Sequence, residues 1–327
     1  MSKFRIRFAG LLAIMLLCLI AAGSVSAADE FPSKPIEFIV PWSPGGSADL
    51  TARIIATIAP KYFSVPFTVH NKAGGGGALA TRYVAKAKPD GYTLLAGYGG
   101  GEHISTPHVR KVPFDTIKDF APICNFATVP IVITVRPDSP FKSAKDLVEY
   151  AKKNPGKIKY GASGIGSSTD LAMIMLSYKA GVKFTAVPFK GGSATMAALV
   201  GGHIDVGSTG LSGAAALLES GKVRAIGLSA PKRSVNFANI PTFLEQGYEV
   251  EVISPKGLAA PAGTPADRLK KLGELFAKVM KDKKTSNLLA AVGLEPYYQP
   301  AKDFTATVKR YYEENGAALA RMGLKRK

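Results

Sequence analysis

The sequence predicts an α/β protein built as two lobes, and three observations predict it. Short β-rich runs alternate with helical patterns from residue 35 onward, the arrangement that lays helices over parallel-rich sheets. Two stretches punctuated by proline or glycine, 121–131 (APICNFATVPI) and 253–265 (ISPKGLAAPAGTP), read as crossings between lobes. Roughly 300 residues remain after the N-terminal segment, enough for one large domain or two ordinary ones.

The elements follow in order. Residues 1–28 stand apart: Lys3, Arg5 and Arg7 precede an apolar stretch from Leu11 to Ala22, and the small residues of SVSAAD offer cleavage after Ala27 or Ala28. This is the pattern of a secretory signal peptide, too short to span a membrane. Cys18 lies inside it, preceded by Leu16-Leu17 rather than the small residues of a lipoprotein site. The expected mature chain starts near Asp29, is exported to the periplasm, and carries one cysteine, Cys124, so no intrachain disulfide is possible. Strands are expected at 36–41, 67–70, 92–96, 130–136, 158–161, 184–189, 204–208 and 223–229, where runs such as IEFIVP and PIVITVR are rich in β-branched residues. Helices are expected at 47–59, 77–87, 143–153, 168–180, 193–201, 211–219, 265–281, 284–292 and 301–322. Ser47 stands where it can cap the first of these, and Ser167 with Asp170 fits a capping box. If both crossings hold, 29–126 begins lobe 1, 127–253 forms lobe 2, and 254–327 completes lobe 1. The crossover segments then act as hinges around a cleft.

Three loops share one design. SPGGSADL (43–50), GASGIGSSTDLA (161–172) and FKGGSATM (189–196) each lead from a strand into a helix through glycine and serine. Free N–H groups and the positive dipole end of such a helix bind anions, and glycine lets the ligand come close. Turn and capping chemistry alone also selects these residues, so a single loop does not decide the matter. Asp49 has a local role available, pairing with Arg53 at i+4 and complementing the helix dipole.

Charge narrows the partner. The formal charge of +18 falls to +15 once the three basic residues of the leader are removed, and the remaining lysines and arginines are scattered. The one dense cluster is Lys325-Arg326-Lys327. Small anions fit this distribution better than nucleic acid. Enzyme motifs fail in turn. Gly161-Ala162-Ser163-Gly164-Ile165 lacks the closing glycine of a nucleophile elbow, and no dinucleotide fingerprint or phosphate-binding loop is present. The four histidines, His70, His103, His108 and His203, do not take metal-site spacing. Glu102-His103 reads as a solvated loop pair, and Cys124 as core. No catalytic residue, metal or cofactor is expected.

The ordered signatures carry a family resemblance. PSKPIEFIVPWSPGGSADLTAR (32–53), NKAGGGG (71–77), AKPDGYTLL (87–95), PFDTIKDFAPI (113–123), NPGKIKYGASGIGSSTDLA (154–172), VPFKGGSATMAALVGGHIDV (187–206) and LAAPAGTP (258–265) run along almost the whole mature chain. The sequence resembles the substrate-binding receptors of tripartite tricarboxylate transporters, the TctC or Bug family. The resemblance implies a two-lobed periplasmic-binding-protein fold, type II-like, with two crossover hinge segments. It implies a non-enzymatic, monomeric receptor that captures a small organic carboxylate, a di- or tricarboxylate or an aromatic acid, and delivers it to membrane permease subunits. Carried over by position, the carboxylate cradle is Gly45, Gly46, Ser47, Ala48 and Asp49 with Ser163, Gly166, Ser167 and Ser168. Trp42 stands either at the cradle rim or in the core. Lys256 and Tyr98 fall where this chain departs from the family pattern, at the expected far end of the ligand. There Lys256 can meet a second carboxylate or lie in solvent, and Tyr98 can stack on a ring. An exported hydrolase or lyase and a ligand-sensing receptor are the alternatives that use the same cleft.

Overall fold

The computed structural model describes residues 31–324; the leader 1–28 with Cys18, and Lys325-Arg326-Lys327, lie outside the described residues. Ten strands are assigned among them: β1 (Ile36–Val40), β2 (Phe67–Asn71), β3 (Thr93–Tyr98), β4 (Phe120–Val135), β5 (Lys159–Ala162), β6 (Thr185–Pro188), β7 (Val206–Gly210), β8 (Arg224–Ser229), β9 (Ile253–Pro261) and β10 (Glu295–Pro300). Their hydrogen-bonded order is β2-β1-β3-β9-β4-β7-β5-β6, with β8 and β10 also paired to β4. Two parallel blocks appear, β1 with β2 and β3, and β5 with β6 and β7. Antiparallel pairings of β9 and β4 join them, so the expected pair of parallel-rich sheets is one continuous mixed sheet.

The 16-residue β4 explains this continuity. Its first part, Phe120–Pro130, pairs with β9, and its last part, Ile131–Val135, pairs with β7 and β8. The expected crossing at 121–131 and the expected strand at 130–136 are therefore a single strand. Pro122 and Pro130 split it on paper because proline cannot donate to a ladder. The register shifts between Pro122 and Cys124 and again between Asn125 and Ala127, so the ladder tolerates the first proline by bulging. The second expected crossing begins as β9 itself. β10 is an addition to the expected strands: EPYYQP lacks alternation and holds two prolines, yet it pairs antiparallel with β4.

All nine expected helices form, with ends displaced by a residue or two. Ser143 and Asp146 make a reciprocal capping box at the Ala144–Lys153 helix. Two capping expectations need correction. The N-cap of the Ser47–Ile58 helix is Gly46 rather than Ser47. At the Ser168–Ala180 helix, Ser167 Oγ accepts from the Asp170 N–H at 3.3 Å, but the Asp170 carboxylate takes the Gly166 N–H instead of completing the box. Phe38, Phe63, Phe67, Phe126 and Phe276 pack in an aromatic group, Phe63 and Phe276 at 4.6 Å between centroids. Ile133, Val135, Leu147, Val148, Leu171 and Leu176 form a second core around the end of β4. Each such buried side chain contributes about 1.5–3 kcal/mol. These cores hold fixed the strand ends on which the site is built.

Candidate functional site

Four strand-to-helix turns meet at one chamber. β1 runs through Trp42 and Gly45, whose φ of +79° suits glycine, into the Ser47–Ile58 helix. β5 leads to the Ser168–Ala180 helix, β6 to the Gly192–Val200 helix, and β7 to the Leu211–Glu219 helix. Gly46 and Ser47, then Ser163, Ser167, Ser168 and Thr169, then Gly192, then Thr209 and Gly210 line a cavity of about 40 Å³. Trp42, Glu102, Ile131, Ser254 and Lys256 complete the wall. Parallel strands present their carboxyl ends to ligands in this way, and the first N–H groups of each helix lack intrahelical partners. Four larger cavities, of about 820, 560, 360 and 320 Å³, gather no set of helix starts. Size therefore does not pick the site.

The loops are braced from behind. The Tyr160 hydroxyl donates to Asp170 Oδ1 at 2.6 Å and the Gly166 N–H to Oδ2 at 2.8 Å. Burial raises the Asp170 pKa, while those two donors pull it back. Ser163 N–H donates to Thr169 Oγ1, which also meets Ser167 Oγ, both at 2.9 Å. In the first loop Asp49 accepts from the Gly45 N–H at 2.9 Å, from Asn71 at 2.9 Å and from Arg53. Burial pushes the Asp49 pKa up, but Arg53, Gly45 and Asn71 outweigh it and hold it below the ordinary value. Gly45, Ala48, Asp49 and Gly166 thus belong to the loops without lining the chamber. Ser43 N–H and Oγ both donate to the Lys190 carbonyl, at 3.2 and 3.1 Å, and Ser193 Oγ donates to the Pro44 carbonyl at 2.8 Å. These bonds tie the first and third loops together.

Trp42 is 8 % exposed and donates Nε1–H to Glu102 Oε1 at 3.1 Å, so it is both packed and part of the chamber wall. Glu102 and His103, expected to be solvated, are buried. The Gly-rich approach 97–101 allows this. A Cβ on Gly101 would overlap the Ser168 backbone nitrogen, and the Gly101 N–H donates to Ser168 Oγ at 2.8 Å. Burial lowers the His103 pKa to about 3, with Lys256 adding to the effect, so the ring is neutral; its Nε2 meets Thr81 Oγ1 at 3.2 Å. Lys256 is also buried, and its Nζ donates to Ser254 Oγ at 2.6 Å. Burial lowers its pKa to about 8, against the pull of Glu102.

Tyr98 is placed elsewhere. Its hydroxyl donates to the Thr116 carbonyl at 2.6 Å and its ring packs on Phe120, Phe304 and His103, so stacking on a ligand is not open to it. It closes a strand whose preceding residues are buried, and its ring takes its place in the same core. Sequence reasoning missed Glu102, Ile131, Thr209, Gly210 and Ser254, and it named the loops of Thr169 and Gly192 without those two residues. The turn STGLSG (208–213) was visible as one more strand-to-helix glycine turn. Cys124 is buried and free. Among the described residues no group of three or more His, Cys, Asp or Glu could hold a metal, and no helix is long and apolar enough to cross a membrane.

Comparison with known proteins adds the relationship. Residues 51–324 match the model of the tripartite tricarboxylate transporter family receptor, TctC. The chain is 35% identical over 309 residues to a Cupriavidus necator protein described as a UPF0065 protein in the gbd 5' region, covering 94% of this chain and 93% of that one. It superimposes on the periplasmic binding protein BugD with TM-score 0.86 at 30% identity, covering 91% of this chain and 100% of that one. A Rhodopseudomonas palustris protein solved with adipate gives TM-score 0.85 at 29% identity, with 90% and 99% covered. MatC from the same species, solved with bound malate, gives 0.82 at 27%, with 88% and 99% covered. The fold is the two-lobed α/β fold of periplasmic binding proteins. With a family model matched over most of its length and relatives aligned nearly end to end, the chain belongs to the tripartite tricarboxylate transporter receptor family, TctC.

Proposed function

We propose that this protein is a periplasmic receptor that closes on a small organic carboxylate and hands it to the permease subunits of a tripartite tricarboxylate-type transporter. The observation that carries the reading is the convergence of four helix starts on one chamber without an arginine in its wall. Backbone N–H groups and aligned dipoles hold an anion there, and the one cationic side chain among the described wall residues, Lys256, is bonded to Ser254. Adipate and malate in the two structural neighbours are carboxylates of the kind this arrangement suits. The ligand carboxylate rests on Gly46, Ser47, Ser163, Ser167 and Ser168, joined by Gly192, Thr209 and Gly210, with Trp42 and Lys256 on the remaining wall. The described parts of 29–126 and 254–327 form one lobe and 127–253 the other, with β4 and β9 as the hinge. The bonds of Ser43 and Ser193 to the opposite loop then act as a latch on the closed form. The chamber is narrow while the latch holds, so solute enters when the loops part. The receptor works as a monomer. Binding is favoured over hydrolysis because His103 turns Nε2 to Thr81 Oγ1 and Nδ1 toward Glu102, so neither ring nitrogen is given to a chamber serine.

The test is a titration of the refolded protein with mono-, di-, tri- and aromatic carboxylates. Trp42, the only tryptophan, reports on the chamber wall. A ligand at 100 times its dissociation constant adds about 2.7 kcal/mol of stability. A fluorescence change with a matching rise in melting temperature for one carboxylate class supports the reading. Silence across the panel removes it.

A further inference from the structure

The wall of the chamber is made of two chemically distinct sets of groups. One is the ring of helix starts. The other is Glu102, Lys256, Trp42 and Ser254, and it holds one acid and one base. Glu102 is 4 % exposed and Lys256 5 %. Among the described residues no ion pair joins them: Lys256 Nζ is bonded to Ser254 Oγ, and Glu102 Oε1 takes the Trp42 indole N–H. His103, the other titratable group against Glu102, has Nδ1 at 3.8 Å from Oε1 and is held neutral by burial. An ammonium has three donors and a carboxylate only acceptor sites. Lys256 therefore keeps donors to offer and Glu102 keeps acceptor capacity, and with both groups ionised the wall carries no net charge.

We propose that this acid–base pair selects a carboxylate whose far end is a neutral group able both to donate and to accept, a hydroxyl or a carboxamide, over one that ends in a second carboxylate. The inference rests on the carboxylate-receptor reading above and narrows its ligand class. The anionic head goes to the helix starts, because Glu102 repels it from the other wall. A hydroxyl or amide at the far end donates to Glu102 and accepts from Lys256, bridging two buried groups that do not reach each other. A second carboxylate satisfies Lys256 but sets two negative charges together away from water, and an ammonium repeats that fault against Lys256.

The experiment uses matched four- to six-carbon acids with carboxylate, carboxamide, hydroxyl, ammonium or methyl at the far end. Dissociation constants are measured by calorimetry on the refolded wild-type protein, Glu102→Gln and Lys256→Gln. The wild type is expected to bind the amide or hydroxyl acid at least about tenfold more tightly than the dicarboxylate of equal length. Glu102→Gln leaves a net positive wall and should reverse that order, while Lys256→Gln should move preference toward the ammonium acid. Because preference is a ratio within one variant, a general loss of stability does not imitate it. A wild type that favours dicarboxylates, or a Glu102→Gln protein with an unchanged ratio, overturns the inference while leaving the receptor reading intact. Failure of every acid, the methyl-ended ones included, in all three proteins overturns the receptor reading and this inference with it.

Discussion

Replacing Glu102 and Lys256 together, as Glu102→Gln with Lys256→Met, is expected to stabilise the protein. The Lys256 pKa falls from 10.5 to about 8 because its ammonium is buried, with Glu102 pulling the other way. That displacement corresponds to about 3 kcal/mol against the charged form. Burial also raises the Glu102 pKa, with Lys256 and the Trp42 bond opposing, so ionising its carboxyl there costs free energy too. Neutral side chains of similar volume remove both penalties, while the amide oxygen introduced by Glu102→Gln still accepts from the Trp42 indole. Replacements of buried ion pairs by neutral groups are often neutral to 1–4 kcal/mol stabilising, and about 2 kcal/mol is expected here at pH 7. The assay is urea unfolding of both proteins from pH 7 to 10.5. Between pH 8 and 10.5 the unfolded chain keeps a proton on Lys256 that the folded chain has lost. Wild-type stability therefore gains about 1.4 kcal/mol per pH unit from this group as pH rises, and the gain disappears as pH falls through 8. Surface lysines common to both proteins cancel in the difference, so the advantage of the double variant should shrink across that window. A double variant less stable at pH 7, or a difference flat from pH 8 to 10.5, would refute the argument that these charges are retained at the expense of stability.

Asp49→Asn should lower stability by about 1–3 kcal/mol, since it weakens the bonds to Arg53 and the Gly45 N–H. Because the Asp49 pKa is held below its ordinary value, its contribution is present above the unfolded pKa and lost as pH falls through the folded one, so wild type and variant should converge in acid melts. Tyr98→Phe should cost about 1 kcal/mol by removing the bond to the Thr116 carbonyl and leave affinity unchanged; weaker binding at equal stability would return Tyr98 to the site. Ser43→Ala with Ser193→Ala removes two latch hydroxyls and should speed ligand release about fivefold or more in stopped-flow displacement, at about 1 kcal/mol per bond. An unchanged off-rate would show that these loops do not gate the chamber. Gly101→Ala should reduce both stability and affinity, because its methyl group displaces the Ser168 helix start.

What the sequence alone determined is what local chemistry can write. Hydrophobic period and caps placed all nine long helices and eight strand regions, because those signals act over a few residues. The ordered glycine motifs were enough to give the family, and three of the four turns at the chamber announced themselves as strand–glycine–helix junctions. Tertiary structure decided the rest. That β4 is one strand carrying prolines follows from its ladders with β7, β8 and β9, which no window of residues contains. Ser43 meets Lys190 across 147 positions and Trp42 meets Glu102 across 60, so only folding shows which loops face one another. Glu102 looked solvated because a carboxylate in a glycine-rich loop normally is. It is buried because an indole donor, a neutral imidazole and a distant ammonium surround it. Whether a charged residue faces water depends on partners far along the chain, and that dependence is set by the closed fold rather than by the residue's neighbours in sequence.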